Sequence, residues 1–193
     1  NRNRYWFSTK PNLTKLLADR KASVPPTQIE QRVQDEIEKV FVKVEGIERS
    51  FFPTTSNQIN NVPAITLVIM APDQRPEEYA TTSRIESFTR DYGSGSRTYK
   101  SALIFVLAAS DTALREEARK LLAWEAISDE RDDIALDDSQ KRQIDQSITS
   151  ARRDLREAVW RAYHHIALLD TNTTVQVRDL GLVHSSSASS LTQ

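Results

Sequence analysis

The chain has 193 residues, with 26 Lys and Arg against 27 Asp and Glu, three His and no Cys. Near-neutral balance excludes a bulk electrostatic pull toward nucleic acid or an anionic membrane, so either partner would need a local basic patch. The lack of Cys excludes disulfides, thiolate catalysis and cysteine zinc sites, and a reducing cytoplasm is the simplest setting for such a chain.

Residues 3–183 read as a single α/β domain, part of a larger protein, followed by a Ser-rich terminal segment over 184–193. The chain starts at Asn1, without Met, and runs straight into "RYWF", as the inside of a longer protein would. The longest apolar runs, Ala64–Ala71 and Ala102–Ala109, fall far short of the about 20 residues that span a bilayer, and no signal peptide is visible. No membrane partner is expected.

In chain order, "RYWFSTK" (4–10) predicts a short strand, because aromatics cluster there before Pro11. Leu13, Leu16 and Leu17 then give a short helix an apolar face. "SVPPTQIE" breaks it. Thr27 with Glu30 has capping-box spacing, and Ile29, Val33, Ile37, Val40, Phe41 and Val44 predict a helix ending near Gly46. "FFPTTSNQINNVP" reads as a loop. "AITLVIMAP" and "KSALIFVLAAS" are continuous apolar runs, the pattern of strands buried on both faces. The segment between them, 73–93, predicts a helix capped by Asp73 or a near neighbour, with Pro76 in its first turn. Strand, helix and strand make a βαβ unit with parallel strands.

Asp111 suits the cap of the next helix, which carries Leu114, Ala118, Leu121 and Leu122 on one face. The acidic connector "DERDDIALDD" leads into the longest periodic segment. There Ile144, Ile148, Ala151, Leu155, Val159, Ala162, Ile166 and Leu169 step by threes and fours, predicting one amphipathic helix over 139–170. "TTVQVRDLGL" predicts a last strand and turn, and the Ser-rich end reads as frayed. The fold class is therefore α/β, a small partly parallel sheet flanked by helices.

The stretch "GSGSRTYKSALIFVLAAS" raises the question of a phosphate-cradling loop. A Walker A loop reads G-x-x-x-x-G-K-[S/T] and joins a strand to a following helix. Here Tyr99, not Gly, precedes Lys100-Ser101, Gly93 and Gly95 are wrongly spaced, and the stretch leads from a helix into a strand. It is not a Walker A. Two readings of it stay open: a flexible connecting loop with Gly93 near a helix C-cap, or an exposed basic loop whose Arg97 and Lys100 contact phosphate.

His164 and His165 are adjacent, so on a helix they point to different sides, whereas helical zinc pairs sit at i, i+4. No metal site is assigned. The acidic residues of 129–138 lack the spacing and mid-loop Gly of a calcium loop and read as a solvated connector ending in an N-cap. Arg152, Arg153, Arg156 and Arg161 lie beside Trp160 and Tyr163, a pattern that suits nucleic acid, but Asp154 and Glu157 among them suit an ion-paired, solvated face. His184 with Ser185 and Ser186 lacks a nucleophile elbow, and these residues read as loop. No catalytic constellation stands.

Four segments, "RYWFSTKPNLTKLLADR", "YKSALIFVLAAS", "LREEARKLLAWEAI" and "VRDLGLVHSSSASSL", resemble in wording and order the middle-to-late part of a family of very large bacterial and archaeal ATP-binding proteins. That family is catalogued as domain-of-unknown-function family 499. Its members are encoded beside DNA methyltransferases and helicases in phage-defence and restriction-like loci, and are distantly similar to the large ATPase of BREX-type defence systems. The resemblance implies a P-loop ATPase as parent, with ATP and Mg²⁺ as its ligands and its Walker A upstream. It implies that this part is inactive alone. Its partners are then the rest of the parent chain and possible DNA or neighbouring methyltransferase and helicase. It carries over no catalytic residue. By analogy with such α/β ATPases, the positions at the carboxyl ends of strands to inspect are Thr9 and Lys10, Asp73 and Arg75, and Ser110 and Asp111. Lys10, Arg97 and Lys100 are the phosphate candidates. A nucleic-acid or protein-binding module built on the long helix is the alternative.

Overall fold

The computed structural model describes residues 11–170 and 174–181. The expected strand over 4–10, with Thr9 and Lys10, lies outside the described residues, as do His184, Ser185, Ser186 and the rest of the Ser-rich segment. In chain order the elements are α1 (Leu13–Ser23), α2 (Pro26–Val40), β1 (Ile47–Phe51), β2 (Ile65–Ile69), α3 (Tyr79–Arg90), β3 (Asp91–Tyr92), β4 (Gly95–Ser96), β5 (Leu103–Leu107), α4 (Thr112–Asp129), α5 (Asp138–Ala162), β6 (His165–Leu169) and β7 (Val175–Asp179). The architecture is α/β, as expected. A mixed five-stranded sheet has the order β1-β2-β5-β6-β7, and β3 pairs with β4 in a separate hairpin.

The chain divides into two compact units, Asn1–Glu36 with Leu114–Glu157 and Ile37–Ala113 with Ala158–Gln193. The first is helical. Its buried residues recur at helical spacing: Ile29 and Val33 on α2, Leu114, Ala118 and Leu121 on α4, and Ile144, Ala151 and Leu155 on α5. Asn12 caps α1, its side chain accepting from the Thr14 and Lys15 N–H groups. Asp137 and Gln140 form a reciprocal capping box at α5, with the Gln140 N–H 2.8 Å from Asp137 Oδ1. The acidic connector thus ends in an N-cap, as expected.

The second unit holds the sheet. β1, β2 and β5 are parallel, while β6 and β7 add antiparallel strands. The βαβ unit expected from the two apolar runs is β2-α3-β5. Val68, Leu103, Phe105, Leu107 and Ala167 of the sheet pack with Ile85 and Phe88 of α3 in one buried cluster. At roughly 1.5–3 kcal/mol per buried large apolar side chain, this cluster is a major source of stability for the unit.

Several boundaries depart from expectation. α2 starts one residue before Thr27, with the Pro25 carbonyl as the first acceptor and Pro26 in the first turn. It stops at Val40, and Gly46, at φ 79°, turns the chain into β1. β1 itself was not expected. α3 begins at Tyr79, leaving Asp73 and Pro76 in the preceding loop. α5 ends at Ala162 rather than near 170, because His165–Leu169 pairs with β5 as a strand.

Candidate functional site

The three parallel strands end along one edge of the sheet. Phe51 pairs with Ile69 and Ile69 with Val106; Leu107 pairs with His165, and His165 with Asp179. The chain leaves β1 through Phe52, whose φ of 49° puts a non-glycine residue in the left-handed region. It leaves β2 through Met70 and a turn closed by the Gln74 N–H on the Ala71 carbonyl at 2.9 Å. It leaves β5 through Ala108-Ala109-Ser110-Asp111 and enters α4 directly. Ser110 Oγ accepts from the Thr112 N–H at 3.2 Å, satisfying one free donor of the first helical turn.

Polar groups gather on this rim. Arg75 Nη2 lies 3.7 Å from Asp111 Oδ1, with the Asp111 side chain mostly covered. The Tyr163 hydroxyl donates to the Met70 carbonyl at 2.9 Å. Burial, with the Asp73 carboxylate adding to it, pushes the Tyr163 phenol well above the usual tyrosine range. Of the positions indicated by analogy, the structure therefore brings together Arg75 and Asp111, with Ser110 beside them.

The phosphate candidates go elsewhere. Lys100 opens a 3-10 turn, Lys100–Ala102, at the amino end of β5, and β5 is about 16 Å long at strand rise. It therefore sits at the far end of the strand from Asp111. The glycines before it form a hairpin, with Tyr92 opposite Gly95 and Gly93 at φ 59° in the two-residue turn. One of the two readings of this stretch put Arg97 on an exposed basic loop; it is instead 2 % exposed. Its guanidinium donates to four main-chain carbonyls: Phe88, Ile59, Asn60 and Ser56, at 2.8–3.1 Å. Tyr92 stacks 5.4 Å from its Cζ. This guanidinium is a structural clamp on the loop 56–60 and the end of α3, and no face of it is open to a phosphate. Lys10 lies outside the described residues.

The arginines of α5 are exposed but not free. The side chains of Arg152, Arg153 and Arg156 are 64 %, 70 % and 62 % exposed. Arg152 meets Glu125 at 3.1 Å, Arg153 meets Asp154 and Glu157 at 3.3 and 3.8 Å, and Arg156 meets the buried Glu36 at 3.2 Å. Arg161 is exposed on the last turn, beside the largely exposed Trp160.

His164 and His165 are not on the helix. They sit where α5 gives way to β6, with ring centroids 4.4 Å apart, and both face Asp179 at the end of β7. Their adjacency in sequence suggested divergence only because a helix was assumed. Cross-strand register, which has no local signature, is what brings Asp179 to them.

The fold and this rim define an α/β chain with a mixed sheet whose parallel strands converge on a polar edge. No helix among the described residues is long and apolar enough to cross a membrane. No protein-family model, curated protein or solved structure matches the chain.

Proposed function

We propose that this chain is part of a large P-loop-type ATPase associated with phage defence or DNA restriction-modification. In it the chain completes the nucleotide-binding α/β domain and is inactive alone. One observation carries this reading: β1, β2 and β5 end on a shared rim holding Arg75, Asp111 and the first turn of α4. Open α/β sheets bind ligands at the carboxyl ends of their strands, and helix N-termini favour phosphate. The resemblance of the four segments adds to it. ATP and Mg²⁺ are ligands of the parent, whose Walker A loop lies outside residues 1–193.

The test is to express the full reading frame that encodes this chain and measure ATP hydrolysis beside the 193-residue chain. Hydrolysis by the long protein, none by the short one, and a loss of tenfold or more on Arg75→Ala are expected. A reading frame without a G-x-x-x-x-G-K-[S/T] loop, or an Arg75→Ala protein with unchanged hydrolysis, overturns it.

A second reading, a nucleic-acid or protein-binding module, is favoured by the exposed Trp160 among Arg152, Arg153, Arg156 and Arg161. It requires duplex-DNA affinity that falls steeply with salt as neutralised phosphates release counterions. DNA affinity unchanged after replacing all four arginines with Ala counts against it.

A further inference from the structure

The geometry points to a binding site for one divalent transition-metal cation, Zn²⁺ or a metal of similar preference, formed by His164, His165 and Asp179. This inference does not depend on the ATPase reading. It rests on register, distances and the hydrogen bonds that fix His164 and Asp179.

β6 and β7 pair antiparallel with His165 directly opposite Asp179, so both side chains project from the same sheet face. His164 would point to the other face if the strand continued through it. It does not, because its N–H still bonds the Ala162 carbonyl at the helix end, at 3.2 Å. Its own carbonyl takes the Leu180 N–H at 2.8 Å. That transition from helix to strand places the two imidazoles side by side, tilted by 39°.

His164 Nε2 is 3.6 Å from Asp179 Oδ1, and His165 Nε2 is 3.8 Å from Asp179 Oδ2. One ligand atom from each of the three residues lies within 4.8 Å of the others. Both imidazole–carboxylate separations exceed hydrogen-bond length. Two ligands on one tetrahedral zinc, each bonded at 2.0–2.1 Å, stand about 3.3 Å apart. To share a cation the three groups must draw in from separations of at most 4.8 Å to about 3.3 Å.

The surroundings orient two of the three ligands as metal sites require. His164 Nδ1 lies 2.8 Å from the Arg161 carbonyl. A carbonyl only accepts, so Nδ1 carries the proton and Nε2 keeps its lone pair on the Asp179 side. The Gly181 N–H donates to Asp179 Oδ1 at 2.8 Å and fixes the carboxylate, with Gly181 at φ 68° making that turn. His165 Nδ1 is buried, and among the described residues it has no hydrogen-bond partner, so this ring retains a nitrogen the protein does not satisfy.

The donor set selects the cation. Two imidazoles and one carboxylate suit Zn²⁺, Co²⁺ or Fe²⁺, whereas Ca²⁺ and Mg²⁺ favour all-oxygen sets. Both histidines are half-buried while Asp179 is 57 % exposed, so the cluster has an access path. Three protein ligands leave a coordination position for water or a substrate oxygen, the arrangement of open rather than closed zinc sites.

The experiment is a titration of the untagged 193-residue chain with Co²⁺ alone, followed by visible absorption, then displacement by Zn²⁺. Saturation at one Co²⁺ per chain, with the absorption of a low-coordinate site lost on adding Zn²⁺, is expected. Asp179→Asn and His164→Gln should each weaken binding at least tenfold. Asp179 is exposed, so its variant tests the site even where a histidine variant fails to fold. As a second readout, Zn²⁺ should raise the Tm of the wild-type chain and not that of Asp179→Asn. No saturable one-to-one binding, or binding and Tm shift unchanged in Asp179→Asn, overturns the proposal.

Discussion

The Tyr163 hydroxyl reaches the Met70 carbonyl at 2.9 Å, joining the residue before the histidine pair to the residue that follows β2. Met70 is itself held by its N–H on the Val106 carbonyl at 3.0 Å. Phe41 packs edge-on against the Tyr163 ring, centroids 5.6 Å apart. One buried phenol therefore braces the rim that carries Arg75 and Asp111 and the turn that carries His164.

Replacing Tyr163 with Phe keeps the ring and removes that bond. A loss of about 1–2 kcal/mol at neutral pH is expected, measured by urea unfolding. The same change should flatten the alkaline limb. The folded-state pKa of Tyr163 is raised, so its contribution is full below the ordinary tyrosine value of about 10 and is lost as pH rises above it. There the unfolded chain releases a proton that the folded chain keeps, which costs up to about 1.4 kcal/mol per pH unit. Wild-type stability should fall faster than that of Tyr163→Phe above pH 10. Parallel alkaline limbs would refute the buried phenol.

Arg97 gives a second prediction, because a clamp and a phosphate contact have opposite signatures. As a clamp, its replacement by Met leaves the carbonyls of Phe88, Ile59, Asn60 and Ser56 without their donor. Unmet buried acceptors cost about 1–3 kcal/mol each, partly recovered by water, so a loss of at least about 3 kcal/mol is expected. A phosphate contact would instead change anion affinity and leave the urea midpoint alone.

The parts of this fold that were legible are those where burial writes itself into the sequence. Ile65–Ile69 and Leu103–Leu107 are apolar apart from Thr66 because both are inner strands whose residues, Ile65 excepted, are buried or partly buried. The α5 face was legible because Ile144, Ala151 and Leu155 repeat at helical spacing. β1 was not, since "IERSF" is a short edge strand with charged residues on it. β6 was hidden by coincidence: Ile166 and Leu169 continue the helical period of α5, and no Gly or Pro marks the break. Pairing with β5 overrides that local pattern. Arg97 was misplaced for a related reason. A guanidinium satisfied by main-chain carbonyls leaves no charged partner in the sequence to betray it. The histidine–aspartate cluster depends on both the missed strand and its register with β7.

The helical unit offers a test at acid pH. Glu125 Oε2 lies 2.8 Å from Arg32 Nη2, and its Oε1 accepts from Arg32 and Arg152, each at 3.1 Å. Partial burial pushes the Glu125 carboxyl up, but the hydrogen bonds from the two arginines outweigh it and hold it below the usual range. Because the folded value is depressed, the contribution is complete above the unfolded value of about 4.3 and is lost as pH falls through the folded one. Glu125→Gln should cost roughly 1 kcal/mol at neutral pH, modest because Arg152 is largely exposed and solvent screens the pair. The difference between variant and wild type should shrink below pH 4, and also in 1 M salt, where exposed charges are screened within a few ångströms. Urea midpoints of the two proteins at pH 7 and pH 3.5 check this, and a gap that does not narrow at the lower pH would mean that Glu125 acts through packing rather than through its charge.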